Sequence, residues 1–163
     1  MGPILVWVYN LPISQTIRTS AGLLLALRFL HLLAIMFVVF SISKVDLRMI
    51  GIADKRTPVT ELLAEILPWT WWSFVIATVT GVLLFISKAP SFYSNEVFRL
   101  MILFIGLAVI SMAVFHAFTY RSVALWDGDV PTAFAAKVAG ALSLIFWTAT
   151  AVFGARIVYT VRY

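Results

Sequence analysis

The chain has 163 residues, of which 63% are hydrophobic, 15% aromatic and only 12% charged, with a formal net charge of +5. A soluble domain carries about 25% charged residues, and no water-soluble fold of this length hides so much apolar surface, so the bilayer must solvate most side chains. The lack of cysteine excludes disulfides, thiolate-bound zinc, iron–sulfur clusters and covalently attached c-type haem.

One domain is expected from the length. The positive charge is read as basic residues flanking membrane spans, drawn to anionic headgroups. Nucleic acid is excluded as a partner, because no polar segment interleaves basic and aromatic residues.

In chain order, residues Pro3–Val8 and Leu11–Ile17 read as an interfacial segment, with Trp7 and Tyr9 at headgroup depth. The apolar run at Gly2–Val8 has no basic region before it and does not read as a signal peptide. Four windows reach the roughly 20 apolar residues that cross a bilayer: Ala21–Ser43, Trp69–Ser87, Phe98–Tyr120 and Ala133–Thr160. Backbone groups in hydrocarbon must be satisfied internally, so each is a helix.

Lys44–Arg56 is the most charged stretch. It leads into a short amphipathic helix, with Thr57 as N-cap, Pro58 at the first helical position, and an end or kink at Pro68. Trp69, Trp71 and Trp72 then mark the next span entering at the interface. The second connection, Lys88-Ala89-Pro90-Ser91, is turn-like, and Asn95 caps the third span. The third connection holds Trp126-Asp127-Gly128-Asp129 and Pro131, where Asp127 and Asp129 are expected to cap the fourth helix rather than bind a cation.

Short connections predict an all-α, up-down-up-down four-helix bundle. Small residues four apart, Ala77/Gly81, Ala136/Gly140 and Thr150/Gly154, predict close helix contacts. The first and third connections carry Lys44, Arg48, Lys55, Arg56, Arg121 and Lys137, against Arg18, Lys88, Arg156 and Arg162 on the other side. The positive-inside rule then puts both termini outside and Lys44–Arg56 in the cytoplasm.

His31 and His116 are the only histidines, and both fall in apolar spans. An ionisable group at that depth is costly and marks function. Two imidazoles from different helices form the ligand set of a low-spin b-type haem, which leaves no open position on iron and favours electron transfer. Arg28, one turn before His31, is placed to pair with a haem propionate, and Phe29, Phe37, Phe115 and Phe118 suit a macrocycle.

Depth runs against this pairing. His31 lies mid-window and His116 near the end of its window, a mismatch of roughly 10 Å. The alternative for His31 is a hydrogen bond to a hydroxyl or carbonyl of a neighbouring helix, while His116, near Tyr120 and Arg121, reaches interfacial water. Met112, one turn before His116, and Met36, five residues after His31, also allow a His/Met copper(I) site. Asp46 and Arg48 read as an ion pair, and Arg99 as a snorkelling cation. Hydrolase, phosphate-loop and zinc motifs are absent.

Taken in order, Ile17-Arg18-Thr19-Ser20, His31-Leu32-Leu33, Asp46-Leu47-Arg48-Met49-Ile50-Gly51, Pro68-Trp69-Thr70-Trp71, Gly81-Val82-Leu83-Leu84-Phe85, Asn95-Glu96-Val97-Phe98-Arg99 and Phe115-His116 form a series over residues 17–121. The series resembles a bacterial family of small four-span membrane proteins of uncharacterised function. That family is loosely similar to the membrane region of copper-resistance protein D. The resemblance implies that His31, Asp46, Arg48, Arg99 and His116 belong to one pattern. Family members carry a lysine two residues after the arginine of Asn-x-x-Phe-Arg; Met101 stands there, so a role for that cation does not carry over.

The expectation is a multi-pass protein of the bacterial inner membrane. It is a cytochrome b-like electron carrier or redox-complex subunit rather than a self-contained enzyme. His31 and His116 are its haem ligands, Arg28 the propionate partner, and other membrane subunits or a quinone its partners. A cofactor-free accessory subunit and a copper-handling protein are the alternatives.

Overall fold

The computed structural model describes residues 2–53, 56–127 and 131–161. Lys55, Gly128, Asp129 and Arg162, which entered the charge and turn expectations, lie outside the described residues. Every regular element among the described residues is helical: α1 (Pro3–Tyr9), α2 (Pro12–Thr19), α3 (Ala21–Ile50), α4 (Val59–Ser87), α5 (Ala89–Tyr93), α6 (Glu96–Val114) and α7 (Phe134–Thr160). A π-helical turn (Phe115–Thr119) and a 3₁₀ turn (Tyr120–Leu125) follow α6. Four helical stretches are long and apolar enough to cross a membrane: Ala21–Ile50, Val59–Ser87, Glu96–Val123 and Phe134–Thr160.

Local chemistry sets several helix ends. The Ser20 hydroxyl accepts from Leu23 N–H at 3.3 Å to start α3, and Asn95 accepts from Phe98 N–H at 3.0 Å to start α6. Helix α3 stops at Gly51, whose φ of 88° only glycine adopts without strain. The Leu47 carbonyl then accepts from both Gly51 and Ile52 N–H, which closes the C-terminus.

Two expectations change here. The amphipathic segment after Thr57 is no separate helix: α4 runs unbroken from Val59 through Pro68 to Ser87. Proline removes one backbone bond, and packing of the flanking turns outweighs that loss. Nor does Thr57 cap α4. The Asp127 carboxylate, far along the chain, accepts from Val59 N–H, Thr60 N–H and the Thr60 hydroxyl. The anticipated capping by Asp127 therefore falls on α4; α7 begins at Ala133 with no side-chain cap.

Helix α3 packs against α4 and α7, and α6 against α7; α4 and α6 are not in extended contact. Each small-residue pair serves a different neighbour. Gly81 of α4 lies under the His31 ring, so close that a Cβ would sit 2.9 Å from Cε1. Gly140 of α7 lets α3 approach until a Cβ would stand 3.0 Å from the Asp46 carbonyl, and Gly154 lies against the Met101 sulfur of α6.

Three buried clusters fill the bundle. Val45, Met49, Val59, Leu62, Phe115, Trp126 and Ala136 form one, Val38, Ala108 and Trp147 the second, and Phe92, Ile157 and Val161 the third. The N-terminal segment docks through its buried face: Ser14 donates to the Ile86 carbonyl at 2.8 Å, with Ile17 buried beside it. Arg18 holds α1 to α2, donating to the Tyr9 carbonyl at 3.1 Å and lying 3.8 Å from the Tyr9 ring centre.

Candidate functional site: a cavity between four helices

His31 is half-buried where α3 meets α4. Its Nδ1 lies 2.9 Å from the Ala77 carbonyl and 3.0 Å from the Thr80 hydroxyl. The Thr80 hydroxyl in turn donates to the Ile76 carbonyl at 2.6 Å. The carbonyl requires that Nδ1 carry the proton. With Gly81 beneath the ring, this imidazole is a peg locking two helices.

His116 sits elsewhere. It is exposed on the π turn, its Nδ1 bonded to the Met112 carbonyl at 3.0 Å, and its ring lies 5.6 Å from that of Tyr120 and 5.4 Å from that of Phe115. On α4 it faces Leu63, Leu67 and Trp71, whereas His31 faces Ala77–Gly81. Between Leu67 and Val79 a helix rises about 18 Å. The two histidines therefore do not converge, and the residues present do not fit one bis-histidine haem. The physical reason is the lengthwise register of the bundle, which α3–α4 packing around Gly81 fixes. Arg28 stays with the His31 side, close enough to Lys88 for their charges to repel. Burial first and Arg28 second hold the Lys88 ammonium below its ordinary value.

What gathers instead is a cavity of about 180 Å³ between α3, α4, α6 and α7. Its walls are mainly apolar, with Trp71, Phe74, Phe115 and Trp147 supplying rings. Its polar groups are Asp46, His116, Ser41, Ser111, Ser143 and Thr70. Asp46 is only 2% exposed. Ser143 of α7 lies beside its carboxyl, yet Oδ2 is buried with no hydrogen-bond partner. A buried carboxyl oxygen left in this state is costly.

The anticipated Asp46–Arg48 ion pair does not form. Side chains two positions apart on a helix do not face each other, and Arg48, also 2% exposed, turns to the connections. Its Nε donates to the Thr57 carbonyl at 2.6 Å and one terminal nitrogen to the Thr132 hydroxyl at 3.1 Å. Arg48 and Asp127 thus brace the wall around the cavity from outside. Arg99 is exposed, 3.9 Å from Glu96.

The cavity adjoins an open groove of about 460 Å³ lined by Thr60, Ala64, Pro68 and Tyr120. Leu63, Leu67, Trp71 and His116 border both spaces. Two backbone irregularities face each other here. Pro68 deprives the Ala64 carbonyl of its α-helical donor, and the opposing π turn carries His116. Irregular backbone at membrane depth is tolerated where it lines a cavity, and single π turns concentrate at functional sites.

Met112 and Met49 line the same cavity as His116, while Met36 is exposed. No group of three or more His, Cys, Asp or Glu gathers among the described residues. Ser143 and Trp71 also line the cavity, though neither carries a functional motif in the sequence. Ser143 stands three residues after Gly140, on the face that meets α3, and that spacing was the available signal. Neither a protein-family model, nor a curated protein, nor a solved structure matches the chain.

Proposed function

We propose that this chain is a multi-pass membrane subunit whose working part is the cavity between α3, α4, α6 and α7, and that it binds a lipophilic small molecule there. The supporting observation is a mainly apolar cavity walled by Trp71, Phe74, Phe115 and Trp147, which receives His116 where it meets the outer groove. Binding pockets combine apolar walls with a few placed polar groups. The gap between α4 and α6 gives such a molecule lateral access from lipid.

This reading is preferred to the bis-histidine cytochrome because His31 and His116 meet α4 at different levels, at Ala77–Gly81 and at Leu63–Trp71. It keeps the place of a redox-complex subunit in the bacterial inner membrane. The helices run up-down-up-down with the termini outside, as the short connections and the basic residues suggest.

The test uses the full chain in lipid nanodiscs and 1-pyrenebutanol, a lipophilic ring probe. Energy transfer from tryptophan to pyrene saturates near one probe per chain. In Ser143→Phe, whose added ring fills the cavity, the saturable part disappears. Transfer that never saturates, or that Ser143→Phe leaves intact, overturns the proposal. An absorption spectrum after expression with ample haem supply, showing a Soret band that His31→Ala abolishes, also overturns it.

A further inference from the structure

We infer that the end of the molecule carrying α1, α2 and α5 binds the phosphate of an anionic phospholipid at Lys88 and Arg28. This site is separate from the cavity and stands whether or not the cavity takes a ligand.

Charge divides unevenly between the two ends of the long helices. Around the cluster of Met49, Val59, Phe115, Trp126 and Ala136, the described cations Lys44, Arg48, Arg56, Arg121 and Lys137 are nearly balanced by Asp46, Glu61, Glu65 and Asp127. Around the cluster of Phe92, Ile157 and Val161, the described cations are Arg18, Arg28, Lys88, Arg99 and Arg156. Glu96 is the one acid among the described residues there, and it lies beside Arg99 on its own helix.

Two of these cations are brought together. Lys88 follows the last turn of α4, and Arg28 lies one turn nearer the start of α3 than His31. Because His31 meets Ala77 and Thr80, the same register carries the Arg28 side chain along α4 toward Lys88, close enough for their charges to repel. Helix α2 covers these helix ends, with Ser14 donating to the Ile86 carbonyl. Both cations are half-buried, which strengthens their repulsion, and an anion beside them offsets it. Basic pockets between membrane helices suit phospholipid headgroups for this reason.

The neighbouring segment favours a lipid over a soluble anion or an acidic protein. Ile4, Trp7 and Ile13 are exposed on α1 and α2, the helices that pack against α4 and α5. Water penalises such a face, whereas the boundary between headgroups and acyl chains accepts it. Leu25 and Phe29, on the turns of α3 around Arg28, are exposed as well and offer acyl chains an apolar surface. Phosphatidylcholine would bring its own cation to the site; phosphatidylglycerol brings none.

Native mass spectrometry tests this on the full chain, released from detergent containing equal amounts of dioleoyl phosphatidylglycerol and dioleoyl phosphatidylcholine. The phosphatidylglycerol adduct is expected to exceed the other about twentyfold, the joint effect of two cations near an anionic headgroup. Lys88→Gln is expected to cut that preference about fivefold, and Arg28→Gln to do the same. Lys88 is at a helix end, so Lys88→Gln keeps the test open if Arg28→Gln does not fold. Lys137→Gln, which removes an exposed cation from the opposite end, is expected to leave the preference unchanged. Inorganic phosphate at matched ionic strength is expected to leave the adduct in place. Equal adducts of the two lipids overturn the site. So does a preference that Lys88→Gln leaves intact, or that Lys137→Gln cuts as deeply, and so does displacement by inorganic phosphate.

Discussion

The two histidines occupy regions built on opposite plans. Around His31, α3 and α4 are in full contact, a glycine makes room for the ring, and the imidazole nitrogen finds a carbonyl and a hydroxyl on the partner helix. Around His116, α4 and α6 stay apart, α4 lacks one backbone bond at Pro68, α6 gives way to a π turn, and the ring borders two open spaces. The same residue type is thus a fastener in one place and an accessible polar group in the other. An ionisable side chain in a span therefore signals function only when packing leaves it something to do.

Substitutions that strain the closed region give the largest effects. Gly140→Ala forces a methyl group to 3.0 Å from the Asp46 carbonyl, and backbone has little freedom to yield. Its thermal unfolding in detergent should show a loss of up to about 3 kcal/mol. His31→Ala removes the peg between α3 and α4 and leaves a void beside Gly81, for about 2 kcal/mol, with pyrenebutanol binding retained. If His31→Ala left stability unchanged, the contrast between the two regions would collapse.

Asp127→Ala strips the α4 N-terminus of its cap and should lower stability by about 1 kcal/mol, read from the same unfolding midpoint. His116→Ala inverts the His31 pattern. Its stability should stay within about 0.5 kcal/mol of the parent, while pyrenebutanol binding weakens.

The smallest effect concerns Lys88. Burial and Arg28 lower its pKa in the folded chain, so at alkaline pH the unfolded chain holds more protons there than the folded one. Stability then rises slightly as pH climbs toward the ordinary lysine value of about 10.4. Unfolding midpoints between about pH 8 and pH 10 should show the rise, and Lys88→Met should remove it.

Much of the helical plan was readable from local chemistry. Apolar windows located the four long helices, Asn95 announced the start of α6, and the small-residue pairs announced close contacts. The windows fell short of the helix bounds, because α3 and α4 extend beyond their most apolar stretches into Val45–Ile50 and Val59–Pro68, where burial against other helices sustains them. The site was only half legible. Asp46 and His116 stood out as ionisable residues in or beside spans, but their common cavity depends on contacts between segments far apart in the chain. Trp71 gave no local sign of facing that space, and Ser143 gave only its spacing of three residues from Gly140.

By itself the sequence determined the solvent of this protein and the helices suited to it, because hydropathy and backbone hydrogen bonding act over a single segment. Tertiary structure alone decided which polar groups meet. The register of α3 on α4 sends His31 to Ala77 and Thr80, Gly140 draws α7 onto α3 beside Asp46, and the separation of α4 from α6 leaves His116 at an opening. Those outcomes depend on how neighbouring surfaces interlock, a property that no single stretch of chain contains.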